Sequence, residues 1–137
     1  MPDWLPAHRE LVLASGAAKI AETEQEDPVP LALTEVPEKW LQGREFLLLK
    51  KHFDVFTNPN AERLLAFLDP DEVIIFGVAA DVCNAAAIRG LLARGRSVTF
   101  VEEASRGLDA ARTLACLAEW REAGVRFASV DQVVSEL

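Results

Sequence analysis

The chain has 137 residues, half of them hydrophobic, and a net charge of −8. That is long enough for one domain with a real core and too apolar for intrinsic disorder. The acidic balance argues against a nucleic-acid partner, which needs a basic face, and no apolar run approaches the ~18 residues of a membrane span.

The N-terminus, Met1-Pro2-Asp3-Trp4, lacks the basic-then-apolar order of a signal peptide. Leu11 to Glu24 has helical character interrupted at Ser15-Gly16, and Pro28, Pro30 and Pro37 force an extended or looping path. The acidic run Glu22 to Asp27 reads as a solvated loop, with Glu22 or Glu24 the carboxylates available if it holds more. Residues 1–45 therefore read as an irregular N-terminal part, and residues 46–137 as a βαβαβ core of one domain.

In that core, Phe46 to Lys50 reads as a short buried strand after Gly43. Asn60 is placed to cap a helix from Ala61 to Leu68, which Asp69-Pro70-Asp71 ends. Val73 to Val78 is the next buried strand. Asn84 to Arg94 is helical and stops at Gly95, and Ser97 to Val101 is a third strand. Leu108 to Ala123 is a long helix stopped by Gly124, Val125 to Ala128 a fourth strand, and Ser129 opens a last short helix. Strands alternating with helices imply right-handed βαβ units: a three-layer α/β/α fold around a parallel, Rossmann-like sheet. Ligands bind such sheets beyond the carboxyl ends of the strands.

Cys83 and Lys50 both fall at that edge. The apolar strand breaks at Gly77, and Cys83 follows at the start of a helix, within Gly77-Val78-Ala79-Ala80-Asp81-Val82-Cys83-Asn84. Backbone N–H groups at a helix start are unpaired and carry partial positive charge, which favours a thiolate and can hold an oxyanion. Two cysteines, Cys83 and Cys116, suit a reducing cytoplasm better than a disulfide scaffold, and no Cys/His cluster has zinc-ligand spacing. A nucleotide-binding Rossmann turn is disfavoured, because the turn after Phe76 has one glycine where the phosphate cradle needs three.

The stretch from Gly77 to Gly95 resembles the nucleophile turn of the isochorismatase-like cysteine hydrolases, the family that includes nicotinamidases and related amidohydrolases. The likeness covers nearly the whole chain. Lys50 matches the family's catalytic lysine, three residues before one aromatic, Phe53, and six before another, Phe56; Lys51 does not fit that spacing. Ala17 to Thr23 and Pro6-Ala7-His8 resemble a loop of one branch of the family and the segment just before it.

The resemblance implies that Cys83 attacks the carbonyl carbon of a small amide and that Lys50 stabilises the thiolate. It also implies that the N–H groups of Ala79 and Cys83 form the oxyanion hole, and that the Val78-Ala79 peptide is cis. Asp81 would cap the helix after the turn and orient the cysteine loop. Phe53, Phe56 and Trp40 read as core packing that could line a pocket, His52 as a surface residue, and Cys116 as core.

The family's aspartate, in an apolar-Asp-x-Gln segment on its first strand, has no counterpart here; Asp3 follows no strand. The first strand, and the second with it, are expected to be missing, which would leave a long apolar edge beside Val73 to Val78. Three explanations stay open: a start upstream of Met1, a remnant that pairs with a partner or with itself, or a fold closed around the gap. Family metal ligands lie in the same missing part, so neither metal nor cofactor is expected. The partners expected are a small-molecule substrate and further copies of the chain, a dimer or larger. The alternative to a cysteine hydrolase is a non-catalytic, oligomerising subunit.

Overall fold

A computed structural model describes residues 25–137. The expectations for Asp3, Pro6 to His8, the helix from Leu11, Ala17 to Thr23, Glu22 and Glu24 lie outside the described residues. Five strands and four α-helices follow in chain order: β1 (Val29–Leu31), β2 (Phe46–Leu48), α1 (Pro59–Leu68), β3 (Val73–Val78), α2 (Ala85–Ala93), β4 (Val98–Arg106), α3 (Ala110–Glu122), β5 (Arg126–Phe127) and α4 (Val130–Glu136).

All strand pairs are parallel, but among the described residues they form two sheets rather than one. β1 pairs with β2, with Val29 opposite Phe46 and Leu31 opposite Leu48. The second sheet runs β3-β4-β5. β3 and β4 stay in register from Val73/Val98 to Ile75/Phe100, then shift so that Gly77 faces Ser105 and Val78 faces Arg106. β4 is thus longer than the sequence suggested: the irregularity lets the chain beyond Val101 follow β3 to its end.

Two apolar clusters hold these sheets. Ile88 and Leu91 of α2 and Cys116, Leu117 and Trp120 of α3 pack on Val98 and Phe100 of β4. Phe100 meets the Trp120 ring edge-on, with centroids 4.9 Å apart. Leu31, Val36, Leu41 and Leu64 form the second cluster. α1 joins the two, because Leu64 sits in the second cluster while Leu65 packs against the first. Apolar side chains on adjacent positions of a helix face different directions, so one short helix can serve two layers.

Several expectations need correction. β1 was not foreseen as a strand, because it is three residues long and contains Pro30. Its ladder bonds run from the Val29 N–H to the Glu45 carbonyl and from the Leu49 N–H to the Leu31 carbonyl. Pro30 falls between these positions, where a missing N–H costs no bond to β2. β2 and β3 are half-buried, not buried. β3 is an edge strand among the described residues, with Phe76 61% and Val78 73% exposed.

The helix expected from Ala61 starts two residues earlier. Asn58, not Asn60, is its N-cap: the Asn58 Oδ1 accepts from the Asn60 N–H at 2.8 Å, with Pro59 in the first turn. The other punctuation reads as expected, with Gly95 and Gly124 at positive φ just past α2 and α3 and Ser129 in a capping box on α4.

Candidate active site

The turn that carries Cys83 is built from β3 outward. The Val78-Ala79 peptide bond is cis. Residues Ala80–Asn84 then form one π-helical turn before α2 begins. The Ala79 carbonyl accepts from the N–H groups of both Val82 (3.2 Å) and Asn84 (3.0 Å), and the Asn84 amide donates to the Gly77 carbonyl at 3.0 Å. The turn is therefore closed onto the end of its own strand. Gly77 has φ +112°, a conformation that β-carbon-bearing residues rarely adopt. Ala79 and Ala80 are buried, whereas Cys83 is half-buried and in no disulfide.

Asp81 braces this turn, by a different route from the one expected. Its carboxylate does not cap the helix it precedes. It reaches the start of α3, where Oδ1 accepts from the Leu108 N–H (2.8 Å) and Oδ2 from the Asp109 N–H (3.0 Å) and the Arg112 guanidinium (2.9 Å). The side chain is wholly enclosed. These donors, the Leu108 N–H foremost, hold its carboxyl below the usual carboxylate range, against the opposing effect of burial. Asp81 is thus a fixed anion that ties the cysteine turn to the segment 27 residues on.

Lys50 lies two residues past the end of β2 and is exposed. Its Nζ donates to the carbonyls of His52 (3.3 Å) and Phe53 (3.0 Å), so the ammonium is held by its own loop and not by the Cys83 sulfur. That loop is internally tied: Asp54 accepts from the Phe56 N–H at 2.9 Å, and Thr57 donates to the Asp54 carbonyl at 2.6 Å. Asn58, fully buried, fastens its root. The Asn58 amide donates to the Leu49 carbonyl (2.7 Å) and to the Leu31 carbonyl (3.0 Å).

The aromatic residues divide. Phe53 is 68% exposed, which corrects the core reading. Phe56 lies over Gly90 of α2, with the Arg94 guanidinium 3.9 Å from its ring centroid. Trp40 is half-buried against the second cluster and lines a cleft with Lys39, Pro28 and Pro30. That cleft lies at the start of β1, the opposite end from the Lys50 loop. His52 is exposed and Cys116 is buried in the core.

Both carboxylates nearest in sequence to the two candidate residues are committed: Asp81 to α3 and Asp54 to its own turn. Among the described residues no cluster of three or more His, Cys, Asp or Glu could hold a metal ion. No helix among them is long and apolar enough to cross a membrane.

An Isochorismatase domain model matches residues 20–132. The chain belongs to the isochorismatase family. A zebrafish (Danio rerio) protein, isochorismatase domain-containing protein 2, is 28% identical over 138 residues, covering 91% of this chain and 68% of that protein. An isochorismatase-like hydrolase from Alkaliphilus metalliredigens superposes with a TM-score of 0.60 at 19% identity, over 69% of this chain and 52% of its own. A pyrazinamidase/nicotinamidase from Streptococcus mutans gives 0.59 at 20% identity, over 64% and 49%. YcaC from Pseudomonas aeruginosa, determined with covalent acrylamide, gives 0.61 at 22% identity, over 73% and 50%. The fold is therefore the three-layer α/β/α isochorismatase-like fold. The match spans about half the length of these solved structures.

Sequence reasoning missed Asn58, Gly90, Arg94 and Arg112. One of them left a local signal: the proline after Asn58 marks the residue before it as the N-cap.

Proposed function

We propose that this chain is a cysteine hydrolase acting on a small amide or a related C–N bond, with Cys83 as nucleophile. The Cys83 thiolate adds to the carbonyl carbon, the C–N bond breaks, and the amine leaves with a proton. Water then cleaves the C–S bond of the thioester, releasing a carboxylic acid and restoring the thiol. Lys50 supplies positive charge that favours the thiolate. The N–H groups of Ala79 and Cys83 are the donors assigned to the developing oxyanion. The observation that carries this reading is the place of Cys83: half-buried and in no disulfide, on a turn closed onto the strand end and braced by a buried anion.

The general base that would take the thiol proton is not one of the carboxylates described above. Asp54 accepts from the Phe56 N–H and Asp81 from the start of α3, so neither is assigned that role. Two free thiols suit a reducing compartment, and the cytoplasm is the location that goes with this reading.

The test is alkylation of Cys83 and Cys116 by iodoacetamide, resolved by peptide mass spectrometry from about pH 5 to pH 9. Fast labelling of Cys83 below pH 7, slowed by Lys50→Ala, supports an activated nucleophile. A panel of small amides then tests hydrolysis, with loss of turnover in Cys83→Ala required. Labelling of Cys83 no faster than an ordinary thiol overturns the reading.

One observation favours a second reading, an oligomerising subunit. β3 carries six uncharged residues, and at its edge Phe76 and Val78 are mostly exposed. A biological role unchanged in Cys83→Ala would select that reading over the first.

A further inference from the structure

We infer that Gly90 is a positioning residue: its lack of a side chain creates the joint through which the Lys50 loop is docked on the helix that follows Cys83. This rests on the reading that Lys50 and Cys83 act together. Lys50 belongs to the β1-β2 sheet and Cys83 to the end of β3. Among the described residues no ladder bond connects those two sheets. Among those residues side-chain contacts link the two parts, and one of them is Phe56 on α2.

The fit there is close. A β-carbon at Gly90 would lie 2.5 Å from Phe56 Cδ2 and 2.6 Å from Cε2, well inside van der Waals contact. The atoms it would strike belong to a rigid ring rather than to a flexible side-chain end. Arg94 closes the joint from above. Its guanidinium sits 3.9 Å over the ring, and its Nη1 donates to the Gly90 carbonyl at 2.9 Å. A third tie runs from Arg94 Nε to Glu62 of α1 at 3.3 Å. On the loop side, Phe56 is held by its N–H bond to Asp54, and the loop root by Asn58. A displacement of the ring thus moves a self-bonded loop, with the Lys50 ammonium bound to the carbonyls of His52 and Phe53.

Helix energetics make the choice of glycine informative. In the middle of α2 an alanine would be the better helix former. Glycine therefore stands where propensity argues against it, and the Phe56 ring accounts for it.

The experiment is the pH profile of iodoacetamide labelling at Cys83 in the full chain, with Cys116 as internal control. Cys116 is buried in the main core, so its labelling reports general loosening. Gly90→Ala is expected to move the Cys83 labelling profile to higher pH, with slower labelling below pH 7 than in the parent chain. Cys116 should stay protected. Lys50→Ala should give the same shift, and the two substitutions together no more than either alone. Gly90→Ala combined with Phe56→Met, an unbranched side chain that can yield space, should restore the profile. If Gly90→Ala does not fold, Phe56→Ala tests the same joint.

An unshifted Cys83 profile in Gly90→Ala, with a shifted one in Lys50→Ala, overturns the joint and leaves the proposed function standing. A rise in Cys116 labelling alongside the Cys83 change also overturns it, in favour of a merely structural role. No shift in Lys50→Ala overturns the reading on which the joint rests.

Discussion

Asn58→Ala is the substitution whose cost the structure defines best. The side chain is fully buried and makes three bonds: a cap to the Asn60 N–H and two donations, to Leu31 and Leu49 carbonyls. Loss of an N-cap costs about 1 kcal/mol. Each deprived carbonyl adds about 1–3 kcal/mol when nothing replaces its donor. The Leu31 carbonyl keeps a second donor, the Leu49 N–H, so the lower end applies there. The expected loss is therefore about 3–5 kcal/mol, or roughly 10–20 °C in Tm for a domain of this size.

Asn58→Asp separates the cap from the carbonyl clamp. The cap oxygen stays, but the two donors become acceptors facing carbonyl oxygens. The folded state then favours the protonated carboxyl and binds more protons than the unfolded state, so stability falls as pH rises above about 4. Urea unfolding followed by circular dichroism across about pH 4–8 reads both effects. A cost for Asn58→Ala within about 0.5 kcal/mol, the range of an unremarkable surface change, would refute the clamp. So would an Asn58→Asp cost that does not vary with pH.

Three further outcomes follow from the same structure. The Asp81 carboxyl is held low by the Leu108 and Asp109 N–H groups and Arg112, so its contribution is present at neutral pH and lost as pH falls through its lowered value. Thermal melts below about pH 4 should therefore show a steeper acid loss in the parent chain than in Asp81→Asn, and equal slopes would count against the bracing role. Trp120→Phe should cost under about 1.5 kcal/mol, because it also removes the buried indole N–H that has no partner; a loss near the 3–5 kcal/mol of a Trp→Ala truncation would show that packing on Phe100 dominates. Light scattering should show self-association that Phe76→Lys, a charge on the exposed β3 edge, weakens; a monodisperse 15.0 kDa monomer at all concentrations would rule out edge pairing.

What the sequence disclosed was local. The run from Val73 to Val78, its break at Gly77 and the following turn lie within a dozen residues, and each step has its own signal: continuous apolarity, a glycine, then small helix formers. The order of elements from Phe46 onward follows from the same kind of evidence. β1 was hidden because three residues carry no period and Pro30 argues against a strand; only the partner strand shows that the proline sits at the harmless position. The two asparagines flanking Pro59 are alike in type and one was assigned the other's role. Asn58 caps the helix, whereas Asn60 accepts from the Val36 N–H and donates to the carbonyls of Ala32 and Thr34. Asp81 illustrates the limit most directly: its partners lie 27 to 31 residues away, beyond the reach of any local pattern.

The same distinction explains how this site is assembled. In a continuous parallel sheet, ladder bonds fix one strand end relative to the next, and residues at the carboxyl edge inherit that precision. Here β2 and β3 lie in separate sheets among the described residues, so no ladder among those residues fixes Lys50 relative to Cys83. Side-chain contacts among them link the two parts. Asn58 ties the ends of β1 and β2 to the start of α1, Leu64 and Leu65 of α1 reach into the two cores, and Phe56 rests on α2 at Gly90. Each such joint depends on the exact shape of its neighbours. A single methyl group at Gly90 is therefore expected to reach the lysine, whereas a comparable change on the exposed face of α3 is not.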